Sequence, residues 1–202
     1  MDKKEGQQEF LRPSWDEYFM KLAIDVSTRA SCKNVRAGVV IVADSARRIL
    51  GTGYNGAPSG IDSCLKTGCR KENKGLIYET SLNSGECLGV HGEMNALGHV
   101  TALLQHDFTL YSTISPCANC AKNLLVYPIT RVVYKKEYNP KERESAEHLF
   151  AAKGVKLERL DMKPSRTIET TFGLYDVTHD VFTREEKEKV MEVIKLLREN
   201  GI

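Results

Sequence analysis

No stretch of this 202-residue sequence approaches the roughly 18 consecutive apolar residues that a membrane-spanning helix needs, which excludes a helical membrane protein. Neither sign of charge is in excess. The 29 Lys and Arg residues stand against 27 Asp and Glu, interspersed, for a net charge of +2. Without a single-sign field, bulk electrostatics do not call for a nucleic-acid partner, although a local basic pocket for a phosphate is compatible with this balance. The chain also lacks any internal repeat or low-complexity tract, which excludes solenoid architectures. The opening "MDKKEGQQEF" is charged and has no apolar run. Export is therefore not expected, and the location expected is the cytoplasm, where thiols stay reduced. With 41% hydrophobic residues, the chain has enough apolar content for a buried core.

In "PSWDEYFMKLAIDVSTRASC", Ser14 and Glu17 stand at capping-box spacing, and Trp15, Phe19, Leu22 and Val26 share one helical face. The stretch "AGVVIVADSARRILGTGYNG" predicts a β-hairpin: a β-branched strand, a polar turn at Asp44 to Arg47, a second strand and a Gly-rich loop. From Ala57 to Gly89 the sequence is polar and holds three cysteines. That is too long for a structureless loop in a compact domain unless something such as a metal pins it. A helix is expected to begin at His91, followed by the strand "FTLYST" and a helix near Pro116 through "CANCAKNLLVY". The strand "RVVYK", the helix "KERESAEHLFAAKG" and the strand "VKLERL" follow. This alternation predicts an α/β domain with helices packed on a mixed sheet. In the tail, "TREEKEKVMEVIKLLRENG" has Thr183 and Glu186 as a capping box and Val190, Ile194 and Leu197 on one stripe. It reads as an amphipathic helix serving packing or assembly. The expected division is a catalytic domain over residues 1–163 and a C-terminal extension over 164–202.

The chemistry concentrates in "GVHGEMNALGH" and "SPCANC". His91 and Glu93 lie two apart, and side chains at that spacing diverge on a helix flank. They can meet one object only if the helix aims its N-terminal end at it. Cys117 and Cys120, three apart in the first turn of another helix, would share a face. With His91 they supply three ligands to a tetrahedral zinc and leave a fourth position open, as in a catalytic site. Two helix N-termini directed at that point would help hold the sulfurs as thiolates, and Glu93 would face the open position.

The "HGE" and "SPCANC" pair resembles the H-x-E and P-C-x-x-C signature of zinc-dependent nucleobase deaminases. Within that superfamily, "SWDEYFMKLA", "TRASC", "GVVIV", "GYNGAPSG" and "HGEMNA", in this order, are similar to the deoxycytidylate (dCMP) deaminases. The likeness runs from about residue 14 to 160. Gly92 departs from it, because the family usually has alanine there. The resemblance implies a three-layer cytidine-deaminase-like fold with a mixed sheet of about five strands. It implies hydrolysis of dCMP to dUMP, with Glu93 moving a proton from water to ring N3 and then assisting release of ammonia.

The same resemblance offers Asn55, Arg29, Ser115 and Tyr138 as substrate-binding residues. Asn55 would bind the sugar, Arg29 would clamp the phosphate as a planar guanidinium, and Tyr138 would stack on the base. The loop Gly53, Tyr54, Asn55 and Gly56 is associated in allosteric members with dCTP, opposed by dTTP, with Mg accompanying the effector, and the family is typically a homohexamer. Cys32, Cys64, Cys69 and Cys87 are enough for a closed structural zinc of the kind some members carry. Against this stand blander readings. Scattered cysteines can be buried thiols, and Arg29 can be a solvated helix-end charge. His99, His106, His148 and His179 have no ligand-like neighbours. Other functions in contention are deamination of dCTP, of a modified cytosine nucleotide or of an adenosine in tRNA, and a noncatalytic zinc-bound scaffold. An intact Glu93 speaks against the scaffold.

Overall fold

The computed structural model describes residues 13–76, 85–100 and 107–162. The predicted amphipathic segment of the tail lies outside them. Helix α1 (Trp15–Ser27) starts at the expected capping box: the Glu17 N–H donates to Ser14 Oγ at 3.2 Å, and the Ser14 N–H donates to the Glu17 carboxylate at 2.7 Å. The hairpin follows as β1 (Gly38–Ala43) and β2 (Arg48–Tyr54), paired antiparallel. The long polar stretch holds two single turns of helix, α2 (Cys64–Thr67) and α3 (Arg70–Asn73). Next come α4 (Gly92–Gly98), β3 (Phe108–Ile114), α5 (Ala118–Leu124), β4 (Ile129–Lys136), α6 (Pro140–Ala152) and β5 (Lys156–Arg159).

The five strands form one mixed sheet in the order β2-β1-β3-β4-β5, with β1 antiparallel to both neighbours and the β3, β4 and β5 pairings parallel. Both faces of the centre are covered, which is why β1 reads as an unbroken apolar run instead of an alternating one. The period of two still sorts its side chains. Val40 and Val42 pack with Phe19, Met20, Ala23 and Ile24 of α1. Val39 and Ile41 pack on the opposite side with Ala96 of α4, Leu124 of α5 and Phe150 of α6. The result is three layers, as expected, with the two parallel crossovers placing α5 and α6 on the face that also carries α4. Full burial of side chains such as Phe108, Leu110 and Phe150 contributes about 1.5–3 kcal/mol each to holding these layers.

One polar cluster ties α1 to the sheet. Arg131 on β4 grips Asp16 with two guanidinium N–H groups at 2.8 Å each, Tyr111 on β3 donates its hydroxyl to Asp16 at 2.7 Å, and Arg131 Nε also pairs with Glu158. The Arg131 hydrogen bonds hold the Asp16 carboxyl below its ordinary value, against the opposing effect of partial burial. A carboxyl with a lowered folded pKa stabilises the fold above its unfolded value and loses that contribution as pH falls through the folded one. Asp16→Asn is therefore expected to cost about 1 kcal/mol near neutral pH, a modest figure because the pair is partly solvated. It should also flatten the loss of stability below about pH 4. Urea melts of both proteins at neutral and acidic pH check this, and an equal acid sensitivity in the variant contradicts it.

Candidate metal centre and active site

His91 and Cys117 each occupy the N-cap of a helix, at the starts of α4 and α5, with extended backbone angles (φ −71°, ψ 153° and φ −76°, ψ 168°). This is how the two helix N-termini come to face one point. His91 Nδ1 lies 3.3 Å from Cys120 Sγ and 3.6 Å from Cys117 Sγ. A tetrahedral zinc with Zn–N of about 2.0 Å and Zn–S of about 2.3 Å separates nitrogen from sulfur by about 3.5 Å, so the donor set fits that ion. Among the described residues, this is the sole group of three or more His, Cys, Asp or Glu side chains whose ligand atoms lie within 4.8 Å of one another. Three protein donors leave one tetrahedral position for a small molecule.

Both sulfurs are buried, and Cys117 Sγ accepts the Cys120 N–H at 3.5 Å, a sulfur version of the N-cap bond. The hydrogen bond with Cys120 lowers the Cys117 thiol to about 4, whereas Cys120 is raised by the same partner and by burial. The hydrogen bond with Cys117 raises His91 to about 9, against the opposing effect of burial. Glu93, the second residue of α4, is only 6% exposed and is raised from its ordinary range, first by desolvation, with the charge of His91 opposing.

His91, Glu93 and Cys117 line a cleft of about 410 Å³, counting its solvent-facing mouth, at the ends of β1, β2 and β3 nearest the two helix N-termini. Of the proposed substrate residues, Asn55, Ser115 and Tyr138 line it. Burial raises the Tyr138 phenol to about 12, so it is neutral at physiological pH. Asn55 is already engaged: its Oδ1 accepts the Ala37 N–H at 2.7 Å and its Nδ2 donates to the Val35 carbonyl at 2.9 Å. It shapes the wall by holding that segment, and Val35, Ala37 and Ile114 complete the wall without any signal that spacing could have supplied. Arg29 is exposed just past the C-terminal end of α1 and is not part of this wall.

The residues of the GYNG loop are largely consumed by structure. Gly53 packs so closely on α4 that a Cβ there would lie 2.3 Å from both the Ala96 N and the Gly92 O, and the Gly56 N–H donates to the Val90 carbonyl at 3.1 Å. Tyr54 is the member whose side chain is exposed. At Gly92 a Cβ would lie 3.2 Å from Val39 Cγ2. Val39 is fully buried in β1 and stiff at χ1, so it gives way poorly. Gly92→Ala is accordingly expected to lose on the order of 1 kcal/mol despite alanine's better helix propensity. Thermal melts check this, and a clear stabilisation contradicts it.

Cys32, Cys64, Cys69 and Cys87 are all free thiols. Desolvation and then the charges of the other three raise Cys64, so the four are near one another, but they do not converge as the His91 group does. His99 and His148 are exposed, and His106 and His179 lie outside the described residues.

A family model described as "Cytidine and deoxycytidylate deaminase zinc-binding region" matches residues 13–136. The chain is 37% identical over 142 residues to the deoxycytidylate deaminase of Saccharomyces cerevisiae, covering 70% of this chain but 44% of the yeast protein. It is 39% identical over 129 residues to the deoxycytidylate deaminase of Mycobacterium phage D29, covering 62% of this chain and 98% of that one. Among solved structures, the dCMP deaminase of cyanophage S-TIM5 in complex with dCMP and dUMP superposes with a TM-score of 0.55 at 27% identity, over 74% of this chain and 99% of that chain.

Proposed function

Because the chain belongs to the cytidine and deoxycytidylate deaminase family, we propose that it hydrolyses dCMP to dUMP and ammonia. The observation that carries this reading is the convergence of His91, Cys117 and Cys120 beside a cleft lined by His91, Cys117 and the buried Glu93. It is supported by relatives that are deoxycytidylate deaminases and by the S-TIM5 enzyme's complex with dCMP and dUMP.

His91, Cys117 and Cys120 would hold a zinc, which would supply the Lewis acidity that makes water a nucleophile near neutral pH. The chain's remaining residues handle the proton and the base. Glu93 takes one proton from the attacking water and gives it to ring N3 of cytosine, then moves the second, from the new C4 hydroxyl, to the departing amino group, so that the C4–N bond breaks, ammonia leaves and the C4 carbonyl forms. Burial suits Glu93 to this, because a carboxyl raised toward the working pH both accepts and returns a proton. Tyr138 faces the base. Val35, Ala37 and Ile114 keep water from its edges, and Ser115 and Asn55 shape the wall that receives the sugar. Glu93 serves no purpose in a scaffold that merely binds zinc.

Residues 1–163 form the catalytic unit, and 164–202 the extension. Cys32, Cys64, Cys69 and Cys87 hold a second, structural zinc, a reading supported by the effect of the other three on Cys64. The exposed Tyr54 beside Gly53, Asn55 and Gly56 is the contact for a regulatory nucleotide, dCTP or dTTP with Mg. The exposed Trp15, Tyr18 and Ile49 support assembly of copies of this chain into a homo-oligomer, a hexamer by family likeness. No helix among the described residues is long and apolar enough to cross a membrane, and six cysteines outside any disulfide accord with the reducing cytoplasm. The test is ammonia release by the zinc-loaded protein from dCMP, dCTP and cytidine. Turnover fastest on dCMP is expected. A preference for dCTP overturns the substrate, and no turnover on any of the three overturns the activity.

A further inference from the structure

The segment just before α5 is fastened to the segment leading into α6. The Ser115 N–H donates to the Lys136 carbonyl at 2.8 Å, and the Tyr138 N–H donates to Ser115 Oγ at 2.8 Å. Beyond Pro116 a third bond closes the join: the Ala118 N–H donates to the Glu142 carboxylate at 3.1 Å. Ala118 is the first residue of α5, so this N–H is one of the four at a helix start that find no partner within the helix. Glu142 reaches it from another helix, while Asn139 and Pro140 organise that helix's own start.

We propose that Glu142 is a positioning residue for the metal centre, holding the first turn of α5 so that Cys117 and Cys120 present both sulfurs to the ion that His91 also binds. Three features make the bond consequential. The helix α5 is seven residues long, too short to hold its first turn by its own hydrogen bonds. Both cysteine ligands lie in or at that turn, flanking Ala118, so fraying there displaces two of the three donors together. A carboxylate at a helix N-terminus is also favourably placed electrostatically. Partners that orient metal ligands from behind commonly govern affinity by about 10–100-fold.

The inference rests on the zinc reading but not on the substrate, so its test uses no nucleotide. Zinc affinity of the full chain is measured by competition with a chromophoric chelator, and the cobalt-loaded protein gives the ligand-field spectrum. Metal-free melting reports the fold. Glu142→Ala is expected to weaken zinc binding by about 10–100-fold and to change the cobalt bands. Glu142→Gln, which keeps an acceptor oxygen, should restore most of the affinity and the wild-type bands. Glu144→Gln, an exposed acid on the same helix, should behave as wild type. Wild-type affinity and spectrum in Glu142→Ala overturn the proposal. So does a loss that Glu142→Gln fails to restore, or one that only tracks a lower metal-free melting temperature. A chain that binds zinc through His91, Cys117 and Cys120 yet deaminates nothing would sink the activity and leave this role standing.

Discussion

Glu93→Gln is expected to lower kcat on dCMP by a factor on the order of 10² to 10⁴ while leaving bound zinc at the wild-type level. The substitution keeps the shape of a side chain that is 6% exposed and removes only its capacity to carry a proton. His91, Cys117 and Cys120 keep their positions, since Glu93 is not among the converging donors. Stability should not fall. Burial already disfavours the ionised carboxylate, so a neutral amide in the same volume is accommodated at least as well. The expected signature is therefore a protein that melts at or above the wild-type temperature, holds its zinc and scarcely turns over, the usual relation between a buried catalytic group and stability. Metal analysis, thermal melting and steady-state kinetics on one preparation give all three readings. Turnover within tenfold of wild type would remove Glu93 from the reaction.

Cys117→Ser should have the other large effect, on the metal itself. Serine is a good N-cap and can accept the N–H of residue 120 as the sulfur does, so α5 keeps its start. What is lost is a thiolate donor: the hydroxyl of serine does not ionise near neutral pH, and two good ligands remain where three stood. After dialysis the variant is expected to carry one zinc fewer per chain and to show no measurable deamination. It should also melt at a lower temperature than the zinc-loaded wild type, because an ion bound only to the folded state stabilises by mass action. A strong chelator should bring the wild-type protein to the same melting temperature. Unchanged zinc content in Cys117→Ser would rule out Cys117 as a ligand. If the second zinc is present, its complement should survive, which separates the two sites in one measurement.

The local pattern carries much of this molecule. The Ser14 and Glu17 pair marks the start of α1, and the β-branched run from Gly38 to Ala43 marks the central strand. The three-residue separation of Cys117 and Cys120 and the two-residue separation of His91 and Glu93 point to a helix end that faces a common target. Such features are legible because hydrogen bonds, caps and side-chain periodicity act between residues a few positions apart. Arg29 shows the limit of this. A guanidinium near a helix end satisfies the chemistry of a phosphate clamp equally well wherever it points, and this one is exposed and not part of the cleft wall. Asn55 shows it differently: its amide suits a sugar hydroxyl, but the folded chain already occupies it with the backbone at Val35 and Ala37.

From the sequence alone come the candidate metal donors, the order of strands and helices along the chain, and the chemical type of the reaction, since all three depend on residue type and short spacing. The tertiary structure alone decides which apolar and polar groups wall the cleft, that Glu142 reaches Ala118, and that Cys32, Cys64, Cys69 and Cys87 approach one another without converging as the His91 group does. The physical reason is the same in each case. A one-dimensional pattern says which face of an element is buried, but its partner is selected by the packing of α5 and α6 on one face of a five-stranded sheet, between groups far apart along the chain.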